Sequence, residues 1–377
     1  MRSMGLLDAA RAATMLIAAL AVSAAFAGAI RYVAHPQLFD AYATRFQFVP
    51  GQWFAKSVID LKRNARNTCV VLGASNGREG FDAGILARNA PGVAFLNAAT
   101  TGGNNEVVAL QATILERYDL RPRCVIVAFS TWTMFRDGSP ELAAEEYVSL
   151  LDWGEVIALP SRPLLTREGH HIAARLILPL RSHARQLNLL ARLEIRHLRA
   201  KWLGSLPVSR YESYKDELKP ADDYLYQRTP PHLMQDWEKL VARSRAFYPA
   251  SRYGGAMQEV VMRGALDRLL RLTNGQVAIV ITPQTPILDP ASHSAKPHFD
   301  RVMQAYAGRV AMIDCTSLRD LNLFVDEGHL TAGGRAILSI EVAQLIAGGV
   351  LSGQAGATAH CVGTPSMAIA TASPNSY

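Results

Sequence analysis

The stretch TCVVLGAS, residues 68–75, decides the fold, because a short β-branched run passes directly into a glycine and small residues. This pattern is typical of a buried parallel strand at the point where it gives way to a loop. Other stretches share this character. We predict further strands at VAFLNA (93–98), RCVIVAFS (123–130), QVAIVITP (276–283) and RVAMIDC (309–315).

Helical patterns lie between the predicted strands. We predict helices at 82–90, 104–118, 255–273, 297–307 and 332–347. Apolar strands that alternate with helices favour a parallel sheet covered on both faces. The sequence therefore predicts an α/β protein with a doubly wound, flavodoxin-like, mostly parallel sheet of about five strands.

The alternation is interrupted at about 131–254, a span much longer than an ordinary connection between a strand and a helix. We expect a mainly helical insertion there. Within it, residues 172–203 carry leucines on one side of a helix and arginines on another. These residues are Leu176, Leu180, Leu187, Leu190 and Leu198, and Arg181, Arg185, Arg192, Arg196 and Arg199. The arginine side is either the solvated face of a packed helix or a surface for anionic lipid or an acidic polymer.

The two ends of the chain differ in composition from its middle. Residues 352–377 are rich in Ala, Ser, Thr, Gly and Pro without periodicity, which predicts a disordered tail. The expected organisation is an N-terminal segment at 1–30, a folded domain at 31–351 and this tail.

Residues 13–30 form an uncharged apolar run between Arg11 and Arg31, about long enough to cross a bilayer. We predict a single-pass anchor in the inner (cytoplasmic) membrane, with the folded domain on the periplasmic side. A cleaved signal peptide is the alternative. The residues that could supply an A-x-A cleavage site are Ala25, Ala27 and Ala29. Both interpretations export the domain.

The formal net charge of +7 favours an anionic partner. The basic residues are spread along the chain without the aromatic-interleaved pattern of a nucleic-acid module. Membrane phospholipid or an acidic glycan is therefore expected, and nucleic acid is not.

The four cysteines lack the paired spacing of a zinc site and are too few for a disulfide framework. Cys69 and Cys124 each open a predicted strand, which indicates small buried hydrophobic residues. Neighbours in sequence such as His170 and His171 rarely face one metal together. We predict neither a metal nor a cofactor.

Reactive side chains gather where the predicted strands end, which is where functional groups converge in an open parallel sheet. Ser75 follows the first strand, Gly102 the second, and Asp326 and His329 the last. A serine hydroxyl needs an imidazole to take its proton and a carboxylate to orient that imidazole. Ser75, His329 and Asp326 are the candidates for these roles.

Other interpretations of the same residues exist. Ser75 could be a helix N-cap, His329 a structural histidine near a helix start, and Asp326 a turn or capping residue. If the three act together, the backbone N–H groups of Ser75 and Gly102 are placed to stabilise an oxyanion.

These blocks resemble those of the SGNH or GDSL-like hydrolases, in outline over 68–347. GASN at 73–76 is similar to the family's G-D-S block, with alanine for an aspartate that is not catalytic. NAATTG at 97–102 resembles its N-x-G-x-x-G loop, and DEGH at 326–329 its D-x-x-H block.

The third block departs from the family. Its G-x-N-D should follow the strand at 123–130, where this chain has FSTWTM. The oxyanion donor that the family draws from this asparagine is therefore absent, replaced by the Thr131 hydroxyl, or supplied by Asn104 or Asn105.

Membrane-anchored proteins of this family with long insertions resemble enzymes that add, move or remove acetyl groups on polysaccharides. The resemblance implies an extracytoplasmic serine esterase or acyltransferase acting on O-acyl groups of cell-surface or exported polysaccharide. Its expected partners are an acylated polysaccharide or other acyl ester, the membrane, and a membrane-bound acyltransferase. Hydrolysis and transfer share one acyl-serine intermediate and are not distinguished by a triad. The alternatives are a non-catalytic protein that binds glycan or a partner, and a lipid esterase at the membrane surface.

Overall fold

The structure is a computed structural model. It describes residues 50–100, 105–134, 255–351 and 358–362, with short stretches between 13 and 25 and near 157. The chain divides into two compact units, one of residues 60–138 with 222–377 and one of 1–59 with 139–221. The first of these units contains the sheet.

Six parallel strands form one sheet, in the order β2-β1-β3-β4-β5-β6. The strands are β1 (Thr68–Leu72), β2 (Ala94–Asn97), β3 (Cys124–Phe129), β4 (Val277–Ile281), β5 (Ala311–Asp314) and β6 (Thr358–His360). Every residue of β1, β3 and β4 is buried. Their apolar, β-branched sequences suit strands covered on both faces. The predicted α/β fold with a parallel sheet is confirmed.

Helices cover both faces of the sheet. They are α2 (Ser75–Gly80), α3 (Ala83–Asn89), α4 (Glu106–Arg117), α5 (Gly255–Leu272), α6 (Asp289–Ala305) and α7 (Ala332–Ala347), and a further helix, α1 (Pro50–Asn64), precedes β1 in the chain. One layer contains α2, α3 and α7, and the other contains α4, α5 and α6. In the first layer Leu338 and Val342 of α7 pack on Val71, Ile126 and Val280 of the sheet.

Several elements differ from their predictions. The helix predicted at 297–307 begins at Asp289, and Pro297 lies inside it. The six-residue helix α2 was not predicted. Part of the predicted disordered tail is ordered, because Thr358–His360 pairs with β5 as the sixth strand. That prediction is wrong for these residues, and 363–377 lie outside the described part of the chain.

The cysteines are buried, as expected of Cys69 and Cys124, but all four are paired in disulfides, which the sequence analysis did not predict. Cys69 and Cys124 are register partners on the neighbouring strands β1 and β3. Cys315, after β5, is bonded to Cys361, after β6. The second disulfide attaches the C-terminal strand covalently to the sheet.

None of the helices in the described part of the chain is both long and apolar enough to cross a bilayer. Half of the predicted anchor at 13–30 and all of the basic segment at 172–203 lie outside the described residues. Both stay predictions.

Candidate active site

The turn that presents Ser75 depends on a glycine. Gly73 follows β1 with φ +145°, and a Cβ there would lie 2.8 Å from the carbonyl oxygen of Ala128. The side-chain amide of Gln111 accepts from the Gly73 N–H at 3.0 Å and donates to its carbonyl at 3.1 Å. The chain therefore leaves β1 in a fixed direction, and Ser75 becomes the first residue of α2.

The helix α2 packs very closely on the sheet. A Cβ on Gly77 would lie 2.7 Å from the Cβ of Ala128 and 2.9 Å from that of Ala99. Only a residue without a side chain permits this approach. The backbone that carries Ser75 thus lies directly against β3 and the loop after β2.

Asn97, the first residue of the predicted second block, fastens the end of α2. Its Nδ2 donates to three backbone carbonyls, and its Oδ1 accepts from the Ala99 N–H at 3.1 Å. The carbonyls belong to Gly77 (3.2 Å), Arg78 (3.1 Å) and Phe81 (2.8 Å). This asparagine orients the helix that carries Ser75 and does not contact Ser75 itself.

A buried polar cluster fixes the residue beside Ser75. The Nδ2 of Asn76 donates at 3.0 Å to the hydroxyls of Ser130 and Thr282, which are 2.7 Å from each other. Ser130 and Thr282 directly follow β3 and β4. Hydrogen-bonded burial of such groups gives a specific geometry. This cluster was not predicted, although Ser130 is the last residue of one predicted strand and Thr282 the last but one of another.

The loop that carries Asp326 and His329 is closed by its own backbone. Phe324 and Leu330 form an antiparallel bridge across the loop, and both are buried. The Oδ1 of Asp326 accepts from the N–H groups of Gly328 at 2.9 Å and His329 at 2.8 Å. These backbone N–H groups therefore fix the orientation of the Asp326 carboxylate independently of the imidazole.

The three predicted residues form one hydrogen-bonded chain. The Oδ2 of Asp326 lies 2.7 Å from Nδ1 of His329, and Nε2 of His329 lies 2.8 Å from Oγ of Ser75. The His329 side chain is 28% exposed, so the site is open to a ligand. The structure therefore brings together Ser75, Asp326 and His329, which lie far apart in the sequence.

The interactions between Asp326 and His329 favour the ionised form of both side chains. Burial opposes ionisation of Asp326, but the hydrogen bond and charge of His329 outweigh it, and the pKa of Asp326 is lowered. Burial also opposes protonation of His329. The hydrogen bond and charge of Asp326 outweigh that effect, with added contributions from Glu79 and Glu327, so the pKa of His329 is raised.

The predicted oxyanion donors are only partly described. Gly102 and Asn104 lie outside the described residues. Thr131 opens the short 3-10 turn Thr131–Met134 after β3 and is half-buried. Asn105 is buried at the start of α4, where its amide donates to the Met134 sulfur at 3.2 Å. These roles stay predictions.

A pocket of about 580 Å³ lies at the carboxyl ends of β4 and β5. Thr131 forms part of its wall, together with apolar side chains such as Phe299 and Met303. Hydroxyl, amide and charged side chains come from the segment after β4, from α6 and from the segment after β5. These include Gln284, Ser292, Lys296, Thr316 and Ser317. The segment after β4 also contacts the loop that carries Asp326 and His329, because the N–H and hydroxyl of Thr285 donate to the Glu327 carbonyl at 3.1 and 2.8 Å.

In the described residues, no group of three or more His, Cys, Asp or Glu side chains is arranged to hold a metal ion. No protein-family model and no curated protein matches this chain. The resemblance to SGNH hydrolases therefore depends on the motifs themselves.

Proposed function

We propose that this protein is an extracytoplasmic serine esterase or acyltransferase that acts on O-acyl groups of cell-surface or exported polysaccharide. The acyl group that we propose is acetyl. The observation that carries the proposal is the hydrogen-bonded chain Ser75–His329–Asp326, with contacts of 2.8 and 2.7 Å. A serine hydroxyl becomes a nucleophile at neutral pH when an oriented imidazole takes its proton.

In the proposed reaction, Ser75 Oγ attacks the carbonyl carbon of the ester while its proton passes to Nε2 of His329. Asp326 at Nδ1 stabilises the imidazolium. When the tetrahedral intermediate collapses, the ester C–O bond breaks, and Nε2 returns the proton to the leaving sugar oxygen. The acyl group remains on Ser75.

Water or a second sugar hydroxyl then attacks the acyl-serine, and His329 takes the proton of this nucleophile. Collapse of the second intermediate releases the acyl product and restores the Ser75 hydroxyl. The two nucleophiles define hydrolysis and transfer. The backbone N–H groups of Ser75 and Gly102 are the proposed donors to both oxyanions.

The pocket at the carboxyl ends of β4 and β5 has polar groups that suit a sugar and apolar side chains beside them. Hydroxyl, amide and charged groups such as Ser317, Gln284 and Lys296 line it, and these groups hydrogen-bond sugar hydroxyls. Apolar side chains such as Ile281, Phe299 and Met303 also line it, and such groups pack against the apolar part of an acyl group. The assays of acetate release and fatty-acid release therefore decide between a glycan and a lipid.

Two observations support an extracytoplasmic location. Disulfides such as Cys69–Cys124 and Cys315–Cys361 persist in oxidising compartments and are rare in the cytosol. The described residues between 13 and 25 are helical, and the apolar side chains of Met15, Ile17 and Val22 are 66–73% exposed. An N-terminal membrane helix would place such side chains in lipid.

The test is covalent labelling of the full-length, detergent-extracted protein by a fluorophosphonate probe, together with acetate release from acetylated polysaccharide. Ser75→Ala should abolish both, and His329→Ala should cost nearly as much. The double variant should be barely worse than either, because triad losses are strongly non-additive. Ser294→Ala is the matched control, since this serine is exposed on α6 and its hydroxyl donates to the Pro290 carbonyl.

Full labelling and acetyl turnover by a folded Ser75→Ala protein would refute the proposal. Fatty-acid release from phospholipid vesicles, without acetate release from the glycan, would move the substrate class to lipid.

A further inference from the structure

A second carboxylate lies next to His329, on the opposite side of the ring from Asp326. Glu79 is four residues after Ser75 on α2, so the two side chains lie on one face of the helix. Its Oε2 is 3.9 Å from Nε2 of His329, the same nitrogen that contacts Ser75. The imidazole therefore lies between two acidic groups.

Glu79 is buried, with only 4% of its surface exposed. A buried carboxylate is unfavourable unless it is paired. Oε1 forms an ion pair with Nη2 of Arg78 at 2.7 Å, while Oε2 is the oxygen nearer the imidazole. The two oxygens thus have different neighbours, a permanent cation and a base that gains a proton during the reaction.

The charged groups around His329 come from two elements. On its own loop, Asp326 contacts Nδ1 and Glu327 acts at longer range. On α2, Glu79 faces Nε2 and carries Arg78 as its counter-ion. Beyond α2, Arg335 of α7 is already paired with Asp82 at 3.3 Å. Glu79 is the acidic group on the Nε2 side of the ring in the described part of the chain.

We propose that Glu79 is a positioning residue for the transfer of the Ser75 proton, acting through His329. Its carboxylate stabilises the imidazolium by charge as Nε2 receives the proton, since Oε2 lies 3.9 Å from that nitrogen. The inference depends on the proposed function, because it assigns Glu79 to the same serine chemistry.

The test is the pH dependence of probe labelling in Glu79→Gln, which removes the charge and keeps the shape. His329 must be neutral to act as a base, so the labelling rate rises with pH as the imidazolium loses its proton. Without the Glu79 charge the imidazolium is less stable, and the midpoint of this rise should move to lower pH. The plateau rate should fall about tenfold, a part of what general base catalysis contributes.

Glu341→Gln is the matched control. Glu341 is also buried, and its Oε2 accepts from the Val362 N–H at 3.2 Å, away from the imidazole. This variant should keep the wild-type midpoint. A merely structural role of Glu79 would lower the amount of folded protein but leave the midpoint unchanged, and that result would overturn the proposal.

A second variant and a second readout keep the test decisive. If Glu79→Gln does not fold, Glu79→Asp retains the charge but withdraws it by one methylene, and its midpoint should move in the same direction by less. An unchanged midpoint in that variant overturns the proposal.

Titration of the His329 ring by NMR in Ser75→Ala needs no activity. A protein that is never labelled, but whose ring titration moves with Glu79→Gln, would refute the esterase and retain the contact. A His329 titration that does not move with Glu79→Gln would refute the proposed role of Glu79 and leave the proposed esterase function standing.

Discussion

Replacing Gly77 by alanine should lower the stability of this protein and displace Ser75, the proposed nucleophile. The new methyl group would lie 2.7 Å from the Cβ of Ala128 and 2.9 Å from that of Ala99. Carbon atoms pack at about 3.5–4.0 Å, so α2 must move by about 1 Å. Overpacking of this kind costs about 1–3 kcal/mol, of which the better helix propensity of alanine returns at most about 1 kcal/mol.

The same shift should separate the reacting groups. Ser75 lies on the displaced helix, 2.8 Å from Nε2 of His329, and a misplacement of about 1 Å costs on the order of 100-fold in rate. The assay is urea unfolding for stability and the rate of fluorophosphonate labelling, per folded molecule, for the nucleophile.

Gly264→Ala provides the matched control, because Gly264 is exposed in α5 and a Cβ there meets no atom within 4 Å. It should gain about 0.5–1 kcal/mol from helix propensity and label at the wild-type rate. The reasoning is refuted if Gly77→Ala is as stable as Gly264→Ala and labels as fast.

Two further predictions concern the covalent framework and the location of the chain. Replacing both Cys69 and Cys124 by alanine should lower the free energy of unfolding by about 4 kcal/mol, from the chain entropy of a loop of 55 residues; equal urea midpoints for this variant and the wild type would contradict it. If residues 13–30 are an uncleaved anchor, the full-length protein should stay in the membrane fraction after a carbonate wash, and a soluble form that starts near residue 28–32 would show cleavage instead.

The sheet was largely predictable because its central strands are continuous apolar runs. VVL in β1 and VIVAF in β3 are buried on both faces, so local sequence and tertiary position agree. The strand β6 was not predictable in this way. Thr358–His360 is a three-residue edge strand in an Ala- and Thr-rich segment, and its position comes from pairing with β5 and from the Cys315–Cys361 disulfide.

Helix boundaries show the same limit. The helix α7 has the predicted ends because Thr331 caps it, its side chain accepting from Gly334 N–H at 3.1 Å. By contrast, the helix predicted at 297–307 starts at Pro297, whereas in the structure Pro297 lies inside α6. The six residues of α2 include Gly77 and Gly80, which weaken any local helical signal.

Ser75, Asp326 and His329 could be predicted because their motifs follow strands, and parallel strands bring their carboxyl ends to one edge. Glu79 was missed, although its spacing of four residues from Ser75 is visible in the sequence. That spacing places the two side chains on one face only if Ser75 begins a helix. The glycines of α2 weaken the sequence signal for that helix. Asn76 and Thr282 are 206 residues apart in the sequence. No local pattern therefore indicates the hydrogen bond between them.

The distance along the chain between Ser75, the proposed nucleophile, and His329, the proposed base, also sets an order of events during synthesis. The strands β1, β2 and β3 and Ser75 all lie within the first 129 residues, whereas His329 follows Ser75 by 254 residues. At about 5–20 residues per second, the base is made roughly 10–50 s after the serine. In that interval the hydroxyl has no imidazole to take its proton. A nascent or truncated chain that lacks His329 should therefore not react through Ser75. Reactivity begins only when the C-terminal third of the chain has folded onto the half of the sheet that was made first.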